Sequence, residues 1–315
     1  MVIVYQTIVR LLQALAAVFA LAPAAGPAAT PTATAAAPGG PATPAELAAL
    51  DRMNAYRGLA GVAPLTINAA LTRAAANHAL YYMLNAPDPA LQGMGLHDEQ
   101  PGRPGFTGAD METRITAAGY VGRWNESMAL LGDPVAAVDA FMATVNHRLP
   151  ILDPGFTETG YGGGRAGRLV VDVFTYGGPY RMPDGGPEFV AWPPDGSTGL
   201  PTVYDGNEAP DAFPGSAYPI GTAITLKYTG AGSFALTEAH LADAAGQALP
   251  VLTRANYNYA TQSVAVVAAD RPLAATTRYA VSLTGTIDGR PGRRTWSFTT
   301  GAAADSVPLP PPGSP

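Results

Sequence analysis

Apolar residues recur at helical spacing through the first half of the chain and at alternating spacing through much of the second. Pro44 opens the first periodic stretch, because Thr43 can cap it, proline suits the first helical position and Glu46 stands where a capping box needs an acid. Leu47, Leu50 and Met53 then share one predicted helical face. A second helix is predicted over residues 68–84, with Leu71, Ala75, His78 and Tyr82 inward and Arg73 and Asn77 off that face. Pro87 and Pro89 end it, and a loop rich in Gly and Pro carries His97. Residues 110–118 read as a short third helix with Met111, Ile115 and Ala118 inward. Asp133 and Pro134 open a fourth, whose buried face is Val135, Val138, Phe141, Met142 and Val145, and His147 lies just beyond its end.

The pattern then changes. Glycines crowd residues 160–167, and a β-branched and aromatic run follows over 168–176. Helices first and strands later predict an α+β layer fold for residues 44–182, not an alternating parallel sheet. Residues 183–219 are rich in Pro and Gly and read as a linker. Over 220–301 short strands recur, at 224–228 (half-buried by its alternation), 234–236, 263–267, 279–283 and 295–299, with turns at Ala245-Gly246 and Asp288-Gly289. That spacing predicts an all-β sandwich. Residues 302–315 form a proline-rich tail.

The length of 315 residues suits about two domains, and 47% hydrophobic content is ample for their cores. A net charge of -6 and no basic run argue against a partner that is nucleic acid. The absence of cysteine excludes disulfides, a thiol nucleophile and a thiolate metal site. Arg10, the apolar run from Leu11 to Ala22 and the small residues after it read as a signal peptide over 1–29. The run is about a dozen residues where a membrane span needs about 20. An Ala/Pro/Thr-rich linker follows over 30–43. The expectation is a secreted, extracellular protein that is not integral to a membrane in its mature form.

Three segments carry the candidate chemistry: Leu96-His97-Asp98, Trp124-Asn125-Glu126-Ser127 and Asn146-His147-Arg148. Two imidazoles and one carboxylate suffice for a three-ligand zinc site with an open position, where a bound water becomes a nucleophile near neutral pH. Glu99 and Glu112 are candidate bases only by nearness in sequence. Ser127 lacks the Gly-x-Ser-x-Gly frame of a nucleophile elbow. His78, inside an apolar stripe, reads as a core histidine satisfied by hydrogen bonding. The trio His97, Glu126 and His147 has a second reading, as side chains that bond to one another and pin three loops to the helical layer.

Asn54-Ala55-Tyr56-Arg57, Gly61-Val62-Ala63-Pro64-Leu65, Gly119-Tyr120, Asn125-Glu126-Ser127-Met128, Asn146-His147-Arg148-Leu149-Pro150-Ile151-Leu152 and Glu158-Thr159-Gly160-Tyr161-Gly162 stand in an order and spacing that resembles the bacterial branch of the CAP superfamily. The superfamily includes the cysteine-rich secretory proteins, antigen 5 and pathogenesis-related 1 proteins. The resemblance implies an α-β-α sandwich with a cleft of two histidines and two acids, which in some members holds a divalent metal such as zinc. Carried over, the cleft falls on His97, Glu126 and His147, and the second acidic position falls on Thr144. Asn125, Ser127 and Asn146 also depart from the family pattern. Residues 220–301 resemble bacterial immunoglobulin-like modules. The implied function is binding of a divalent metal, or of a lipid, peptide or other small ligand of the cell envelope or extracellular space, with no catalytic residue assigned. A metal-dependent extracellular hydrolase and an adhesive or structural surface protein are the alternatives.

Overall fold

Helix α1 (Pro44–Leu59) begins on the predicted capping box: the Glu46 amide donates to Thr43 Oγ1 at 3.2 Å and the Thr43 amide to Glu46 Oε2 at 2.7 Å. The computed structural model describes residues 32–34, 42–86, 93–181, 185–259 and 262–302. The expected leader, Pro87, Pro89 and the tail from 303 onward lie outside them. The inward face of α1 differs from the predicted stripe. Of the predicted stripe Met53 is buried and Leu50 packs on the core, but Leu47 is 47% exposed, and Ala49 and Tyr56 complete the inward face. Two polar side chains set this rotation. Glu46 accepts from the Thr72 hydroxyl, and the buried Arg57 donates to the carbonyls of Ala63, Ile151, Asp153 and Phe156.

Helix α2 (Ala69–Asn85) is capped by Asn68 and buries Leu71, Ala75, His78 and Tyr82 as its periodicity predicts. Helices α3 (Met111–Ala117) and α4 (Pro134–Ala143) start at Asp110 and Asp133, and the single-turn helix α5 (Arg148–Ile151) follows. Strands β1 (Thr32–Thr34), β3 (Arg123–Ala129), β4 (Glu158–Ala166) and β5 (Leu169–Gly178) form an antiparallel sheet in the order β1-β4-β5-β3, and β2 (Thr66–Ile67) joins β4 in parallel. β1 lies within the stretch read as a spacer, and its backbone pairs with residues 163–165.

Alternation along β5 separates the two faces of this sheet. Val171 and Val173 pack with Ala75, Ala79 and Tyr82 of α2, whereas Phe174 and Tyr176 pack with residues of α1 and α4. The result is an α-β-α sandwich. Gly160 and Gly162 are required for it, because a Cβ at either would lie 2.1 or 2.3 Å from a backbone nitrogen of α2.

The second unit is a β-sandwich. One sheet has the order β10-β11-β7-β6 and the other β13-β12-β8-β9, from β6 (Phe189–Trp192), β7 (Ile224–Tyr228), β8 (Phe234–Asp243), β9 (Ala248–Leu249), β10 (Val251–Tyr259), β11 (Gln262–Ala269), β12 (Arg278–Ile287) and β13 (Arg290–Thr299). Asp288 and Gly289, both at positive φ, make the two-residue β12–β13 turn, which suits the right-handed twist of a hairpin.

Two expectations for this half are corrected. The stretch 183–219 is not a free linker. It contributes β6 to the sandwich, sets Trp192 edge-on to Tyr56 at 5.5 Å, and adds Tyr204 and Phe213 to a core shared with Val145 and Leu149. Likewise β7 is buried on both faces. Ile224 and Leu226 face the sandwich interior, and the opposite face of the same sheet, including Val264 and Val266 of β11, is covered by the first unit. Alternation along a single strand does not reveal a second layer that arrives from elsewhere.

Candidate functional site

A buried polar network sits where the loop after α2, helix α3 and strand β3 meet. His78 places Nδ1 2.9 Å from Glu99 Oε1 and Nε2 2.8 Å from the Leu96 carbonyl. Both ring nitrogens thus face oxygen atoms of the network. Glu99 also accepts from the amides of Thr107 and Gly108 and the Thr107 hydroxyl, which folds the Gly/Pro-rich loop back on itself. It is a fully engaged structural carboxylate, with no part left to act as a base.

Glu126 on β3 is 1% exposed at its side chain. Its Oε1 accepts from His97 Nδ1 at 2.9 Å and from the Arg114 guanidinium at 2.8 Å, while its Oε2 is buried with no hydrogen-bond partner. Burial alone would raise its proton affinity. The positive ends of His78, His97 and Arg114 outweigh that and hold the carboxyl at about 2, well below the usual carboxylate range. Arg114 donates in addition to the His97 carbonyl at 2.7 Å, so it fixes both the backbone and the side-chain partner of that histidine.

His97 is the member of this network that reaches the surface, with its side chain 12% exposed. With Nδ1 committed to Glu126, its Nε2 has no protein partner among the described residues. This is the arrangement in which a carboxylate orients an imidazole and fixes which nitrogen is offered outward.

His147 is held elsewhere. Its ring stacks on Phe141, Nδ1 lies 3.1 Å from Thr144 Oγ1 and 3.5 Å from Glu208 Oε2, and no hydrogen bond or ion pair joins it to His97 or Glu126. The Thr144 hydroxyl donates to the Phe141 carbonyl at the end of α4, so it accepts from the imidazole. Glu208 accepts from the amides of Val145 and Asn146 and from the Tyr204 hydroxyl. Burial opposes its ionisation, but the His147 and Tyr204 bonds and the Val145 amide lower its proton affinity overall. A carboxylate from the supposed linker thus stands beside His147, next to the threonine at the expected acidic position.

The sequence-predicted set is therefore divided. His97 and Glu126 are brought together, and His147 and Thr144 form a second pair with Glu208. Among the described residues no group of three or more His, Asp or Glu side chains is arranged to hold a metal ion. A cation at Glu126 would also meet Arg114, whose positive charge already stands against that carboxylate. A three-ligand site on His97, Glu126 and His147 does not fit this arrangement. Ser127 is buried at 1% exposure, away from a nucleophile's access to solvent. Arg114 and Glu208 were missed, since neither lies in a motif. A buried arginine on a seven-residue helix carries no periodic signal.

With the layers and this geometry established, the comparison with known families is specific. Residues 50–175 match the model of the CAP family, described as the Cysteine-rich secretory protein family. The match covers most of the α-β-α sandwich and the His97–Glu126 network, and it supports the CAP superfamily for this part of the chain. No match was found among curated proteins. Among the described residues no helix is long and apolar enough to cross a membrane.

Proposed function

We propose that this is a secreted, non-catalytic binding protein, acting at the cell surface or outside the cell. Its CAP domain offers the His97 imidazole to a small polar or peptide ligand, and an immunoglobulin-like sandwich is docked against that domain as a fixed support. The observation that carries this reading is the His97–Glu126 bond: it leaves Nε2 alone free to take a ligand, while the other members of the network are spent on one another. A carboxylate held at about 2 is a weak base at neutral pH, which favours binding over proton transfer.

The test is a thermal-shift screen of wild type and His97→Ala against a panel of short peptides, oligosaccharides and small organic anions. A compound that raises the midpoint of wild type but not of His97→Ala supports the reading. If every active compound shifts both proteins equally, His97 is not the contact residue and the proposal fails.

A further inference from the structure

His147 and Glu208 repeat the arrangement of His97 and Glu126 with one difference: the carboxylate comes from outside the α-β-α sandwich. The segment that carries Glu208 is tied down along its length. Tyr204 exchanges backbone hydrogen bonds with Ile220 at 2.9 and 3.0 Å, Arg254 donates to the Asp211 and Ala212 carbonyls at 3.2 Å, and the Asn146 side chain donates to the Pro210 carbonyl at 2.6 Å. The Glu208 side chain itself is fully buried. Its Oε1 accepts from the Val145 amide at 2.7 Å and the Tyr204 hydroxyl at 2.5 Å, and its Oε2 from the Asn146 amide at 2.6 Å. Arg148, buried one residue beyond His147, faces Glu208 and Tyr204 with its positive charge.

These contacts decide which nitrogen His147 offers. Nδ1 stands 3.1 Å from Thr144 Oγ1 and 3.5 Å from Glu208 Oε2. A hydroxyl can donate or accept, so threonine alone does not fix a tautomer, whereas an ionised carboxylate only accepts. Glu208 has its proton affinity lowered, which keeps it in that form. Nδ1 therefore carries the proton, and the neutral imidazole has its lone pair on Nε2. Nε2 has no protein partner among the described residues and is not buried, and the side chain is 17% exposed. The ring is held on its face by Phe141, with centroids 5.1 Å apart and planes at 20°. A ring fixed by stacking and by a buried carboxylate presents its outer nitrogen in one orientation.

We propose that Glu208 is the positioning residue for His147: it holds the proton on Nδ1, so that Nε2 stands at the surface as an acceptor for an N–H or O–H group of a ligand. The segment beyond the α-β-α sandwich thereby completes a second contact site on it, and this assignment is independent of the reading of His97. An anionic group, which has no proton to give, is not the partner of a lone pair.

The experiment is long-range proton–nitrogen NMR of the full chain labelled with nitrogen-15 histidine, at neutral pH. Wild type shows His147 with its proton on Nδ1. Thr144→Val keeps that form, because the carboxylate remains. Glu208→Gln loses it and populates the form with the proton on Nε2, since a carboxamide has one acceptor atom where two amides and the imidazole need two. A wild-type His147 with its proton on Nε2, a folded Glu208→Gln with the wild-type spectrum, or a Thr144→Val that loses the Nδ1–H form overturns the assignment. Should Glu208→Gln not fold, the wild-type and Thr144→Val spectra decide by themselves. Diethylpyrocarbonate, which acylates an accessible unprotonated imidazole nitrogen, tests the contact role. Mass spectrometry is expected to find His147 modified in the native chain alongside His240, whose side chain is 64% exposed. Modification of His240 without His147 closes Nε2 to any ligand and overturns that role.

Discussion

Lys227 of the β-sandwich reaches across to the α-β-α sandwich and places Nζ 2.7 Å from Asp153 Oδ2, with Arg123 on the same oxygen at 3.1 Å. Lys227 is 2% exposed and Asp153 fully buried, so the pair is formed inside the join between the two units. Burial lowers the proton affinity of Lys227, and Asp153 opposes that shift without cancelling it. The ion pair, the shared core around Leu149 and the Arg148 bond to the Ala223 carbonyl make the two units one body.

Removing Lys227 takes from the buried Asp153 its shorter cationic contact and leaves Arg123 as the remaining one. With Arg123 still on Asp153, Lys227→Met is expected to cost less than the roughly 3–5 kcal/mol of an uncompensated buried charge in urea unfolding, and Lys227→Met with Asp153→Asn and Arg123→Gln to recover part of the loss. Equal stability of the single mutant and wild type would mean the join does not depend on the pair.

Glu126 predicts an acid limit. Its proton affinity is lower in the folded state than in the unfolded chain, so its stabilisation is full above about pH 4.5 and is lost as pH falls toward about 2. A shift of that size corresponds to roughly 3 kcal/mol. Glu126→Gln is expected to be less stable at neutral pH and to show a flatter loss of stability across that window, as measured by unfolding at a series of pH values. A parallel pH profile in the two proteins would remove Glu126 from the account.

Zinc provides a third check. Because Glu126 is occupied by His97 and Arg114, and His147 by Thr144 and Glu208, zinc titrated into metal-stripped protein is expected to bind no more tightly than to His97→Ala/His147→Ala. Binding at one equivalent and micromolar affinity, lost in the double mutant, would require these side chains to rearrange around the ion.

Two glycine substitutions should go in opposite directions. Gly160→Ala drives a Cβ into the α2 backbone and is expected to cost at least about 3 kcal/mol, because backbone cannot move aside as a side chain can. Gly58→Ala, in helix α1 with nothing within 4 Å, is expected to stabilise by about 0.5–1 kcal/mol. Chemical denaturation of each measures both.

The legible parts of the fold were those set by local chemistry. Thr43, Asn68, Asp110 and Asp133 announce helix starts because each satisfies amides within three residues of itself. The α2 face was legible because it packs on a single layer, whereas α1 turned by the demands of Glu46 and Arg57. Of the site, His97 and Glu126 could be paired through their motifs. Glu208 could not, since it acts from 62 residues beyond Asn146 inside a stretch with the composition of a linker.

By itself the sequence determined the caps, the buried face of α2 and the β12–β13 turn. Tertiary structure alone decided that Arg114 stands against Glu126, that Glu208 stands beside His147 and that Lys227 is buried. The division has one physical cause. Caps and amphipathic faces depend on neighbours a few residues away, which the chain spells out, while the energy of a buried charge or an empty space depends on what packs across from it, and that is fixed only when distant segments meet.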